Sequence, residues 1–312
     1  MFEKLWESLG ESVTSRWALT SFGPALVFWG GGLFAWAQAH DVAAQIKLWE
    51  KLSATEQVIW AVAGLVWVML WATLMERAQT ALLCLIEGYW PGWLDWLRRR
   101  LAERWANHIA RKRDELEKLQ QSVTMKSRQK RRRLDAELSR LPVWRDQTMP
   151  TRLGNILRSA EEYSGVRYGL ESSVCWPRIY PLLSDELREA LGQARATLNE
   201  MVRLMVWSLA FVVWIVWQPW ALVALPIAWL VYQGMIQSAG VYGDLIRAAF
   251  DLHRFDLYKT MDWPLPETPE GEDTLGKQLT EYLFRGIAPQ GLSFRRKTAE
   301  SGESVKGKAK GK

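Results

Sequence analysis

The chain has 312 residues, 40 Lys and Arg against 34 Asp and Glu, and a formal net charge of +6. Twenty residues are Trp and two are Cys, which excludes a disulfide framework and a cysteine-based zinc or iron–sulfur centre. Mean hydropathy is −0.14, but that average hides long uncharged apolar runs alternating with densely charged ones, so the pattern is that of a multi-pass membrane protein.

A helix crossing ~30 Å of hydrocarbon needs about 20 apolar residues. No charge occurs between Arg16 and Asp41, none between Glu56 and Glu76, and none between Arg203 and Asp244. The last run is too long for one span, and Gln218-Pro219-Trp220 interrupts it, which predicts two spans joined by a tight turn. Four spans follow, near 20–40, 57–76, 200–218 and 221–242. Ala37-Gln38-Ala39 has the form of a signal-peptidase site. The leader before it is long and carries Glu3, Glu7 and Glu11 against Lys4 and Arg16, so the first span is read as retained. Gly30-Gly31-Gly32 lets another backbone approach that span closely, or weakens it into a hinge.

Twenty-four of the 40 basic residues lie in 77–203 and twelve in 244–312. The positive-inside rule makes that side cytoplasmic and places both termini there. Juxtamembrane Arg98, Arg99 and Arg100 carry most weight in this assignment and are expected to meet anionic headgroups. Trp17, Trp49, Trp90, Trp93, Trp96, Trp217, Trp220 and Trp263 fall at or near predicted span ends or on flanking segments, where an indole settles at headgroup level. Trp29, Trp67, Trp71, Trp207 and Trp214 fall inside spans and are expected to pack between helices or face lipid.

Apolar residues at Leu97, Leu101, Trp105, Ile109, Leu116 and Leu119, then Leu134, Leu138 and Leu141, recur at three- and four-residue steps among dense charge. They predict an antiparallel, coiled-coil-like hairpin bent at 121–127, with a first arm of roughly 45 Å. Its tip carries Lys126, Arg128, Lys130, Arg131, Arg132 and Arg133. An acidic partner protein or a solvated end leads for this cluster. It has no aromatic interleaving or reading motif, which argues against nucleic acid. A tip 45 Å from the membrane lies beyond the Debye length of ~8–10 Å, so lipid is reached only if the arm folds back.

Downstream, a short helix over 152–162, a Gly-containing turn over 163–169 and an interfacial elbow at Trp176-Pro177-Arg178-Ile179-Tyr180-Pro181 precede a helix starting at Ser184 and entering the third span. The fourth span stays helical to about Tyr258 and stops at Trp263-Pro264-Leu265-Pro266. A last helix occupies 273–285, before a basic tail.

Chemistry is scarce. Gly271-Glu-Asp-Thr-Leu-Gly276-Lys277-Gln278 has P-loop spacing, but Gln278 stands where a hydroxyl should reach Mg²⁺, and no strand precedes it. His40, His108 and His253 make no metal spacing, no acid–base pair stands out, and neither cofactor nor catalysis is expected. In span four, Gln233, Gln237, Gly240 and Asp244 fall within about 60° on a 100°-per-residue wheel. Such a stripe lines water or contacts another helix, and Asp244 is expected to pair with Arg247.

The segments TRLGNILRSAEEYSGVRYGLESSVCWPRIYPLL (151–183) and FDLHRFDLYKTMDWPLPETPEGEDTLGKQLTEYLFRG (250–286) resemble stretches of bacterial multi-pass membrane proteins of uncharacterised function. That resemblance implies a bacterial inner-membrane protein and brings no activity or site residues with it.

The expected fold class is therefore all-α, with four transmembrane helices and a cytoplasmic hairpin inserted between spans two and three. The divisions are 1–91, with the first two spans; 92–200, the basic hairpin and linker; 201–243, spans three and four; 244–290, cytoplasmic helices; and 291–312, a disordered basic tail. The expected partners are the lipid bilayer, further copies of the chain and a cytoplasmic protein. Two functions stay open: an oligomer whose fourth span lines a pore or seam, and an anchored module that recruits a partner through its hairpin.

Overall fold

A computed structural model describes residues 18–40, 42–120 and 124–289. The N-terminal charges with Trp17, the centre of the hairpin bend and the basic tail lie outside the described residues. The described residues are 85% helical and contain no strand, so the all-α expectation holds. The α-helices are α1 (Gly23–Ala39), α2 (Val42–Glu50), α3 (Ala54–Glu87), α4 (Asp95–Gln120), α5 (Met125–Leu138), α6 (Arg152–Tyr168), α7 (Ser172–Ile179), α8 (Asp185–Phe211), α9 (Ala224–Thr260) and α10 (Pro269–Arg285).

Three helical stretches, within 54–120, 185–216 and 219–260, are long and apolar enough to cross a membrane. The first expected span is shorter. Its α-helix has 17 residues, about 25 Å at 1.5 Å per residue, and a π-helical turn, Ala18–Phe22, precedes it.

Local signals set the helix ends. Ser53 and Glu56 form a capping box at the start of α3: the Ser53 backbone N–H donates to Glu56 Oε2 at 2.8 Å, and Glu56 N–H to Ser53 Oγ at 3.3 Å. Gly88, at φ 110°, closes the same helix with its N–H on the Cys84 carbonyl. The break between α8 and α9 falls at Gln218-Pro219, with short 3₁₀ turns on either side. Pro226 sits in the first turn of α9 and does not interrupt it, because the nitrogen of a first-turn residue needs no intrahelical partner.

The chain divides into two compact units, residues 1–160 with 186–246, and 161–185 with 247–312. In the first unit one core joins Leu83 of α3, Leu153, Ile156 and Leu157 of α6, Leu198 and Val202 of α8, and Met235, Ile236 and Ala239 of α9. A second core packs Ala25, Val68, Ala72 and Trp207, flanked by Phe28, Trp29 and Trp71. The three-glycine run serves this second core. A Cβ on Gly31 would stand 2.6 Å from the Phe211 ring, and one on Gly32 would overlap the Trp214 indole. Aromatic side chains, not another backbone, use the space, and Trp214 Nε1 donates to the Phe28 carbonyl at 3.1 Å.

In the second unit the segment expected to be an interfacial elbow is instead α7 followed by a 3₁₀ turn. Val174, Cys175 and Ile179 are buried, so it belongs to a small core. The predicted turn at 163–169 is also corrected: α6 runs to Tyr168 and ends at Gly169 in the left-handed region, φ 70°. Leu170, Phe250, Leu257, Tyr258, Trp263 and Leu279 complete that core. Trp263, expected at headgroup level, is fully buried and its ring lies 5.2 Å from that of Tyr282.

Candidate functional site

The α9 stripe is not uniform. Gly240 is buried, Gln233 and Asp244 are half-buried, and Gln237 is exposed. Its partner comes from beyond the C-terminus of α5. Arg140 Nη2 donates to Asp244 Oδ2 at 2.5 Å, and a Cβ on Gly240 would fall 2.9 Å from Arg140 Nη1. Glycine at 240 is therefore what lets the guanidinium lie against the helix on its way to Asp244. Sequence reading did not nominate Arg140. Arg247, the expected partner, belongs to the second unit, where its guanidinium lies 5.8 Å from the centre of the Tyr163 ring.

Arg140 is held in place by the hairpin. Helices α4 and α5 pack antiparallel, with Lys112 on Glu137 and Lys130 on Glu115, and Arg113 donates to the carbonyls of Pro142 and Val143 at 2.7 and 2.9 Å. Ser127, Leu134 and Leu141 are buried in the hairpin. Of the six cations at its tip, Lys130 is paired and Arg131 is half-buried, while Lys126, Arg128, Arg132 and Arg133 are exposed.

At the hairpin base, Asp95 binds Arg98 Nε at 2.8 Å and Arg99 Nη2 at 3.1 Å, while Arg100 is exposed. Trp93 and Trp96 beside them are 75% and 63% exposed. A buried cation that sequence reading missed is Arg203 of α8, 8% exposed, which donates to Gln79 of α3. A charge that deep needs such a partner.

The second unit has its own polar cluster. The Tyr163 and Tyr168 hydroxyls both donate to the Asp251 carboxylate, the latter at 2.6 Å. Arg254 binds buried Glu272 at 2.7 Å and lies over the Tyr168 ring. Burial, and then the Asp251 carboxylate, push both phenols above the ordinary tyrosine range. Burial also pushes the Cys175 thiol up to about 11, so it is no nucleophile at neutral pH.

No family model, curated protein or solved structure matches the chain. Its function therefore rests on its own geometry.

That geometry offers little to a substrate. The P-loop-like stretch lies wholly inside α10, and a Cβ on Gly276 would overlap the Tyr168 carbonyl, so its glycine serves helix packing rather than phosphate. A groove of about 400 Å³ borders α10, with Lys277 and Arg285 in its lining. Both are paired, with Asp273 and Glu281, and offer no net charge to a ligand. Among the described residues no cluster of three His, Cys, Asp or Glu could hold a metal.

Proposed function

We propose that the chain is a four-span bacterial inner-membrane protein, oligomeric and non-catalytic, with both termini cytoplasmic and span four forming the seam between copies. Gln237 carries this reading. Its amide is exposed and makes no hydrogen bond among the described residues, and the same side of α9 carries Leu230 and Val241, 62% and 54% exposed. A lone amide facing hydrocarbon is costly. A second copy presenting the same face supplies its partner, as a self-complementary twofold contact does.

Cross-linking tests it. With Cys84 replaced by Ser, Gln237→Cys in native membranes is expected to give a disulfide-linked dimer on oxidation, whereas a cysteine at Phe284, outside the apolar runs, gives none. Monomer alone from cysteines at 230, 237 and 241 overturns the seam. Ion flux through liposomes that is abolished when Gln233, Gln237 and Asp244 all become Leu would make the seam a pore lining. Flux surviving that change removes the pore.

A further inference from the structure

Lys126, Arg133 and Arg140 stand seven residues apart. At 100° per residue Lys126 and Arg133 share one side of α5, about 10 Å of helix apart, and Arg140 follows two residues beyond the C-terminus of that helix. The residues one position on, Ser127, Leu134 and Leu141, about 100° round from them, are buried. Arg140 closes the series on Asp244, where the apolar run of span four ends. The cationic end of the hairpin is thus not 45 Å of helix away from the membrane. Arg133 lies about 8 Å and Lys126 about 18 Å of helix from the end of α5, two residues before the arginine that contacts the end of span four. Arg128 and Arg132 widen the face. Among the described residues no ion pair reaches Lys126, Arg128, Arg132 or Arg133, and no acid interrupts 125–134.

We infer that this cationic face of α5 lies on the cytoplasmic surface of the bilayer and binds anionic phospholipid headgroups beside span four. The inference rests on the four-span reading. Two observations commit it to lipid. Arg140 fixes the face at the end of the span, within one or two Debye lengths of ~8 Å for the nearer cations. The exposed Trp93 and Trp96 at the base of the same hairpin suit a headgroup layer. Exposed arginines and lysines with no fixed acceptor geometry match a diffuse layer of phosphates better than a single phosphate pocket.

The test is amide hydrogen exchange on the full chain in nanodiscs of phosphatidylcholine alone or mixed with phosphatidylglycerol. With anionic lipid present, exchange over 125–138 is expected to slow by about tenfold or more. The protection falls as salt is raised and disappears in the Lys126→Gln, Arg128→Gln, Arg132→Gln, Arg133→Gln variant. Replacing the three arginines by Lys keeps it, because charge and not fork geometry is read. Equal exchange over 125–138 in both nanodiscs overturns the inference. So does protection of this segment by an RNA oligonucleotide or a polyglutamate peptide but not by anionic lipid. Exchange over 57–75 is read in the same experiment. Fast exchange there would mean that the membrane reading itself has failed, and slow exchange there with an unresponsive α5 would mean that only the docking has.

Discussion

Gly30 and Gly32 are neighbours on α1, yet a methyl group would have opposite effects at them. Nothing lies within 4 Å of a Cβ on Gly30, whereas one on Gly32 strikes the rigid Trp214 ring. Gly30→Ala is expected to stabilise by up to about 1 kcal/mol through lost chain freedom, and Gly32→Ala to destabilise by about 1–3 kcal/mol through overpacking. Thermal unfolding in one detergent compares them, and equal shifts would remove the packing argument. At Gly240 the obstructing group is the tip of a flexible arginine. Gly240→Ala is therefore expected to leave the melting temperature within a few degrees while hydrogen exchange over 125–145 speeds up, as Arg140 leaves Asp244. Cys175 is buried with its pKa pushed up to about 11. A maleimide at neutral pH is expected to modify it only after unfolding, as mass spectrometry would show.

At the scale of elements, helix ends were legible where the sequence reading took a local signal, at Ser184 before α8 and at Gln218-Pro219, while the last helix was expected from 273 and begins at Pro269 behind a Thr268 cap. They were illegible where a distant segment decides. The run 163–169 holds two glycines and reads as a turn, but its first glycine, Gly165, lies inside α6 where a Cβ would meet only an ordinary contact at 3.9 Å, while Gly169 ends the helix against α10. Trp176-Pro177 reads as an elbow because of its composition; the burial of Val174, Cys175 and Ile179 around it, with the Trp176 ring 5.9 Å from that of Phe250, makes the segment part of a core. The phenols that bind Asp251 give the second unit a pH signature. Folding raises their pKa values, so their contribution is intact below about pH 10, where unfolded tyrosine titrates, and is lost as pH rises through the higher folded values. Alkaline denaturation followed by tryptophan fluorescence should start its loss of stability above that point. Asp251→Asn, which removes the charged acceptor of both hydroxyls, is expected to cost about 1–3 kcal/mol at neutral pH.

At the scale of the whole molecule, hydropathy located three long apolar helices because length and absence of charge are properties of one segment. The polar stripe on α9 was legible for the same reason, since its four residues share one helix. Arg140 was not, because its contact with Asp244 joins residues 104 positions apart, and nothing in either neighbourhood announces the other. The seven-residue spacing of Lys126, Arg133 and Arg140 is the signal that could have drawn attention to it. The proposed orientation carries its own check. Alkaline phosphatase fused at position 289 is expected to stay cytoplasmic and inactive, and a fluorescent protein fused there to be bright; the reverse would invert the topology.

The bond from the Trp214 indole to the Phe28 carbonyl spans 186 positions. A ribosome adding about 5–20 residues per second needs roughly 10–40 s between making one end of that contact and the other. During that interval α1 can pack Trp29 on Trp67 and Trp71, but the Phe211 and Trp214 rings that meet Gly31 and Gly32 are still missing. On the proposed four-span reading, packing of the first span has an order in time. Gly31 and Gly32 of the first hydrophobic segment gain the rings of Phe211 and Trp214 only when the third apolar run has been made.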